Sequence, residues 1–203
     1  MKRRFGFSLS LIALLIISGA VIAGSGRSDD AALVAPTIGS MIEDFTLPDA
    51  DGKDHSLNSL KGKNGTVLIF IAVQCPVSNA YNERMEKLAQ DYSARGVSVV
   101  GINANNTESA ADVKSHAASK GLTFAILKDP GNKIADKLGA TRTPEAYFLD
   151  NNNKLLYHGR IDDSKDPSGV KASDLRDAID SALAGKPISK TTAMAFGCTI
   201  KRA

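Results

Sequence analysis

The chain has 203 residues, 43% hydrophobic and 23% charged, an ordinary globular composition with length enough for one well-buried domain, and a second is not expected. Residues 1–23 hold three of the 25 basic residues and none of the 22 acidic ones, so the formal charge of +3 belongs to that segment and the remainder carries 22 of each sign. A neutral chain with no basic cluster beyond its N-terminus has no overall electrostatic attraction for nucleic acid or anionic lipid, and both are excluded as partners.

From the start, Lys2, Arg3 and Arg4 precede an apolar core from Phe7 through Ile17 and then Val21-Ile22-Ala23, the pattern of a secretory signal peptide over residues 1–23. An uncleaved N-terminal anchor is the alternative, since Phe5 to Ala23 nearly spans a bilayer, and it would be the sole link to a membrane. Either way the domain is expected to be exported, in the periplasm or an equivalent extracytoplasmic compartment, where disulfides persist. Residues 24–36 are small and polar, the composition of a flexible leader. The folded domain is expected over 37–186, with a tail over 187–203 that carries Cys198.

Within the domain, Phe45 to Leu47 and Lys53 to Ser56 flank Pro48-Asp49-Ala50-Asp51-Gly52 and read as a hairpin. Val67 to Val73 is an unbroken apolar run with β-branched residues, the pattern of a strand covered on both faces. Cys75 follows it, then Pro76 in a position suited to the first turn of a helix, then Tyr81, Met85, Leu88 and Tyr92 at helical spacing to about Ala94. Cys75 therefore sits at a helix start, where unpaired N–H groups and the helix dipole favour a thiolate and make it a better nucleophile. The inert alternative is a small buried residue ending a strand.

Val97 to Ile102 reads as a second buried strand, joined to the first by a helix and so parallel to it. Asn105, Asn106 and Thr107 offer caps for a helix that takes Glu108 in its first turn and runs to about Lys120, with a third strand over Thr123 to Leu127. Asn132 is expected to cap a short helix closed by Gly139. After Thr143-Pro144, Ala146 to Leu149 and Leu155 to His158 form a hairpin. A last helix starts at Ser173, with Leu175, Ile179 and Leu183 on one face, and the tail that follows has little periodicity. This alternation predicts an α/β domain with a central mixed β-sheet flanked by helices and an N-terminal β-hairpin extension.

The order and spacing of GSMIEDFTLPDADGKDHSLNSLKGK, AVQCPVSNAYNERM, DPGNKIADKLGATRTPEAYFLD and YHGRIDDS resemble the thioredoxin-like fold. Within that fold they resemble the alkyl hydroperoxide reductase C / thiol-specific antioxidant superfamily, the redoxins, and an exported peroxiredoxin-like group sharing a GCTIK-like terminal segment. The resemblance implies a thiol-dependent oxidoreductase, a peroxidase or a thiol–disulfide exchange protein, that meets a thiol reductant and a peroxide or disulfide substrate. It also implies a cis bond at Thr143-Pro144, facing the reactive Cys75. Two departures stand out. Ser78 occupies the place of the second cysteine in Cys-x-x-Cys, and Leu68 and Ala72 occupy the proline and threonine places of the peroxiredoxin motif Pro-x-x-x-Thr-x-x-Cys.

The chemistry that survives makes Cys75 the nucleophile and Cys198 its resolving partner, the tail folding back over the site to give a disulfide that a partner reduces. Arg142, two residues before Pro144, is a candidate source of positive charge beside Cys75. The alternative is a non-catalytic binding or scaffold module in which Cys75 and Cys198 form a structural disulfide. No cofactor is implied, and no phosphate-loop spacing is present. No metal is assigned either: Asn79 stands where a copper-binding second cysteine would, and His55, His116 and His158 are scattered.

Overall fold

The computed structural model describes residues 1–2 and 35–202. The expected signal peptide and nearly all of the 24–36 leader lie outside the described residues. In chain order the elements are β1 (Thr46–Pro48), β2 (Asp54–Ser56), α1 (Leu57–Leu60), β3 (Gly65–Phe70), α2 (Pro76–Ala80), α3 (Asn82–Ser93), β4 (Val97–Asn103), α4 (Ala110–Lys120), β5 (Ala125–Lys128) and α5 (Lys133–Leu138). They continue as β6 (Arg142–Thr143), β7 (Glu145–Leu149), β8 (Leu155–Gly159), α6 (Asp174–Leu183), β9 (Thr192–Ala193) and β10 (Cys198–Thr199). Among the described residues no helix is long and apolar enough to cross a membrane.

The central sheet has the order β5-β4-β3-β7-β8-β9. β3 pairs parallel with β4 and antiparallel with β7, so the sheet is mixed as expected. All six residues of β3 are buried because the sheet is covered on both sides. Val67 and Ile69 face α3 and α6 through Met85, Leu88, Tyr92, Leu175 and Ile179. Leu68 and Phe70 face the other way, onto α1, α5 and the β1–β2 hairpin through Leu57, Ile134, Leu138 and Leu47. Alternation along one strand thus builds two cores, and the C-terminal edge of β3 is held rigidly where Cys75 follows.

Sequence expectations are corrected at three helix starts or breaks and in the tail. The helix after Cys75 is not continuous: at Tyr81 the backbone tightens to φ −98° and ψ −7°, its N–H donates to Ser78 O at 3.0 Å, and α3 starts afresh. The next helix is capped by Ser109, whose Oγ accepts from Asp112 N while Asp112 reaches back to Ser109 N, so Glu108 stands outside it. Asn132 occupies the residue before α5 without capping it through its side chain; Asp129 takes the Ile134 and Ala135 amides instead. The tail, expected to be aperiodic, contributes β9 beside β8 and β10 beside β6. Strands of two residues are too short to leave a periodic signature.

Candidate active site

Cys75 caps α2 with its own side chain. Ser78 N donates to Cys75 Sγ at 3.2 Å, and Pro76 fills the first helical position, where no N–H is needed. Ser78, in the place of a second cysteine, is 1% exposed and structural: its Oγ accepts from Ala72 N at 3.1 Å, fixing the turn that leads to Cys75.

Cys75 is disulfide-bonded to Cys198 across 123 residues, with the two Cα atoms 5.9 Å apart. The strand pairing explains the meeting. Cys198 lies directly opposite Thr143 in the antiparallel β10–β6 pair, and the Thr143 carbonyl oxygen lies 3.3 Å from Cys75 Sγ. The Thr143–Pro144 peptide is cis. The two sulfurs differ in access: Cys75 is 3% exposed, Cys198 only half-buried.

Of the five residues singled out from the sequence, Cys75, Cys198, Thr143 and Pro144 come together. Arg142 does not join them. It pairs with Thr199 on the other face of the β6–β10 ribbon, is exposed, and donates to Thr199 Oγ1 at 2.9 Å. The first arginine after Cys75, Arg84, is engaged with Asp162 at 2.6 Å and lies over the Tyr81 ring at 3.7 Å.

Two buried carboxylates frame the site. Glu108, 1% exposed, accepts from Val73 N at 3.0 Å and Gln74 N at 2.9 Å, and from the Asn103 and Asn105 amides. Burial pushes its carboxyl up, but these four hydrogen bonds win and hold it below the usual carboxylate range. Glu145 follows the cis-proline and does the same for β6, accepting from Thr141 N and Arg142 N at 2.8 Å each and from His158 at 2.6 Å. Burial opposes its ionisation, and His158 and the two amides overcome it, so its carboxyl also lies low. The sequence reading put Glu108 inside α4 and assigned Glu145 nothing. Ser109-Ala110-Ala111-Asp112 is itself a helix-start signal and, read as one, leaves Glu108 free. The three histidines each have a separate partner: His55 pairs with Asp49, His116 with Asn82 and His158 with Glu145.

Residues 38–158 match the model of the AhpC/TSA family. The thiol-disulfide oxidoreductase ResA of Bacillus thuringiensis is 31% identical over 146 residues, covering 72% of this chain and 83% of that protein. Chloroplastic peroxiredoxin Q of Suaeda salsa is 33% identical over 156 residues, covering 68% of each. Among solved structures, a hypothetical protein from Sinorhizobium meliloti superposes with a TM-score of 0.77 at 34% identity, covering 84% of this chain and 97% of that one.

Proposed function

Because the chain belongs to the AhpC/TSA family and is a thiol-dependent oxidoreductase like its relatives, we propose that it works outside the cytoplasm with Cys75 as nucleophile and Cys198 as resolving thiol. The observation that carries this is the tail strand that brings Cys198 onto Cys75 beside Thr143-Pro144, supplying the second thiol that Ser78 cannot. Export rests on the signal-like pattern over residues 1–23.

Thiol–disulfide exchange is the reaction the geometry supports best. The Cys75 thiolate, accepting from Ser78 N, attacks a substrate disulfide; one substrate sulfur leaves as thiolate and the other is held as a mixed disulfide. Cys198 then attacks Cys75 Sγ, closing the internal disulfide and releasing the second substrate thiol. The substrate gains the two electrons that the pair loses. For a new cycle a thiol reductant attacks Cys198, the more exposed of the two sulfurs. Cys75 departs as the thiolate that its helix start stabilises.

Peroxide is the second substrate class, favoured by the likeness to peroxiredoxin Q. There Cys75 attacks the peroxide oxygen, an alcohol or water leaves, and Cys198 displaces hydroxide from the resulting sulfenic acid. Arg142 and Arg84 are engaged away from the sulfurs, which places this second.

Redox titration with mass spectrometry of both cysteines tests the reading. A reversible pair poised well above about −300 mV supports it, and turnover with a disulfide or with hydrogen peroxide chooses the substrate class. A pair locked below that potential, without turnover, makes the disulfide a structural staple and the domain a scaffold.

A further inference from the structure

The loop that delivers Cys75 and the tail that delivers Cys198 are fastened to one buried side chain. Asn105, 6% exposed, donates from Nδ2 to Glu108 Oε1 at 3.0 Å, and Glu108 holds the two amides immediately before Cys75. With its other atom, Oδ1, Asn105 accepts from Lys201 N at 2.8 Å, three residues past Cys198. Asn106 N donates to Lys201 O at 2.9 Å, so Lys201 is gripped on both sides, and Ile200 N donates to Thr141 O at 3.0 Å. An amide side chain is one of the few groups that can donate one way and accept the other. Both its bonds are made in a buried site, where each counts for more than in water.

We infer that Asn105 is the positioning residue that sets the effective concentration of Cys198 at Cys75, by tying nucleophile loop and resolving tail to the same carboxamide. The inference deepens the reading above and rests on the pair interconverting between disulfide and dithiol. Two thiol protons and two electrons pass to a small disulfide such as oxidised dithiothreitol as the Cys75–Cys198 bond forms, and return when reduced dithiothreitol opens it. None of the anchors at Lys201 or Ile200 involves sulfur, so the tail stays docked in the dithiol form and the two thiols meet again without a search.

The experiment equilibrates the full chain with dithiothreitol buffers, a reductant strong enough to titrate even a very stable disulfide. Asn105→Ala is expected to lower the effective concentration at least about tenfold, about 30 mV for a two-electron couple. Lys201→Pro, at an exposed residue, removes the N–H that Asn105 Oδ1 accepts from and is expected to give a loss of the same order. The double variant is expected to lose no more than the larger single loss, the signature of one shared interaction. The same substitutions in a Cys75→Ser/Cys198→Ser background report any general loss of stability through their melting temperatures, which a purely structural role would move without moving the potential. An Asn105→Ala value within twofold of wild type, or additive losses in the double variant, overturns the inference. A wild-type potential below about −300 mV counts against the catalytic reading alone, since the coupling is still measured.

Discussion

Thr143 carries a buried hydroxyl that finds no hydrogen-bond partner among the described residues. It lies opposite Cys198 in the β6–β10 pair, and the Cys198 thiolate, a stronger acceptor than a disulfide sulfur, is expected to take its hydrogen bond once the disulfide opens. Thr143→Val removes an unsatisfied group from the oxidised state and a bond from the reduced one. Both effects favour the disulfide, and the potential is expected to become more negative by about 20–60 mV, from the roughly 1–3 kcal/mol of an unpaired buried hydroxyl. A shift in the other direction in the redox titration would show that the hydroxyl serves the oxidised state. Glu108 gives a pH dependence of definite sign. Its folded carboxyl lies below the ordinary range, so its stabilisation is complete above about pH 4.3 and is lost as pH falls through the folded value. Glu145 acts in the same direction, whereas burial holds Asp129 above its ordinary value, so its protonation returns stability as pH falls. Denaturant unfolding between pH 6 and pH 3 is expected to show a smaller acid loss in Glu108→Gln than in wild type, with the variant less stable by about 1–3 kcal/mol at pH 6. At this scale the sequence shows the two cysteines that the structure pairs. It does not show Glu108 or Asn105, because a carboxylate folded back onto backbone amides looks like any acidic residue near a helix start.

The tail strands depend on two glycines. Gly159 has φ +150° and a Cβ there would strike the Ala193 backbone, while Gly197 has φ +141° and a Cβ there would strike the Thr143 carbonyl. Each marks a point where the tail lies against the domain backbone: β9 on β8 at the first, β10 on β6 at the second. Gly197→Ala is therefore expected to lift β10 and leave both cysteines as free thiols in most molecules after air oxidation, counted by alkylation and mass spectrometry. Gly159→Ala is expected to loosen β9, read as faster amide exchange at His158 and Arg160, whose N–H groups donate to Thr191 O and Ala193 O, and to spare the disulfide. Full disulfide formation in Gly197→Ala would mean that Cys198 reaches Cys75 without β10. Legibility at this scale follows length. β3, β4, the β7–β8 hairpin and α6 announce themselves by apolar runs or periodicity, and Gly96, Gly121 and Gly139 stop their helices on schedule. A two-residue strand has no period, and the break at Tyr81 leaves the apolar spacing of Tyr81, Met85, Leu88 and Tyr92 undisturbed.

The two cores on either side of the sheet fold the domain, and the disulfide then closes a loop of 123 residues between them and the tail. In the chain-entropy account such a link stabilises by about 5 kcal/mol. Cys198→Ser is expected to lower the unfolding free energy by up to that amount in denaturant titration, while hydrogen exchange at Ile200 and Lys201 still shows a docked tail. A tail that exchanges freely in this variant would mean that sulfur, and not Asn105, holds it. The fold as a whole was legible in the alternation of strands and helices because each buried face needs a partner layer. The pairing of tail and site was not, since contacts across 123 residues leave no local trace. That separation also bears on how the protein is made. At ordinary rates of synthesis, about 5–20 residues per second, Cys75 is made roughly 6–25 seconds before Cys198. During that interval its thiol lacks Cys198 as a partner, and a chain exported as it is made would present Cys75 alone to the oxidised sulfur of the outer compartment.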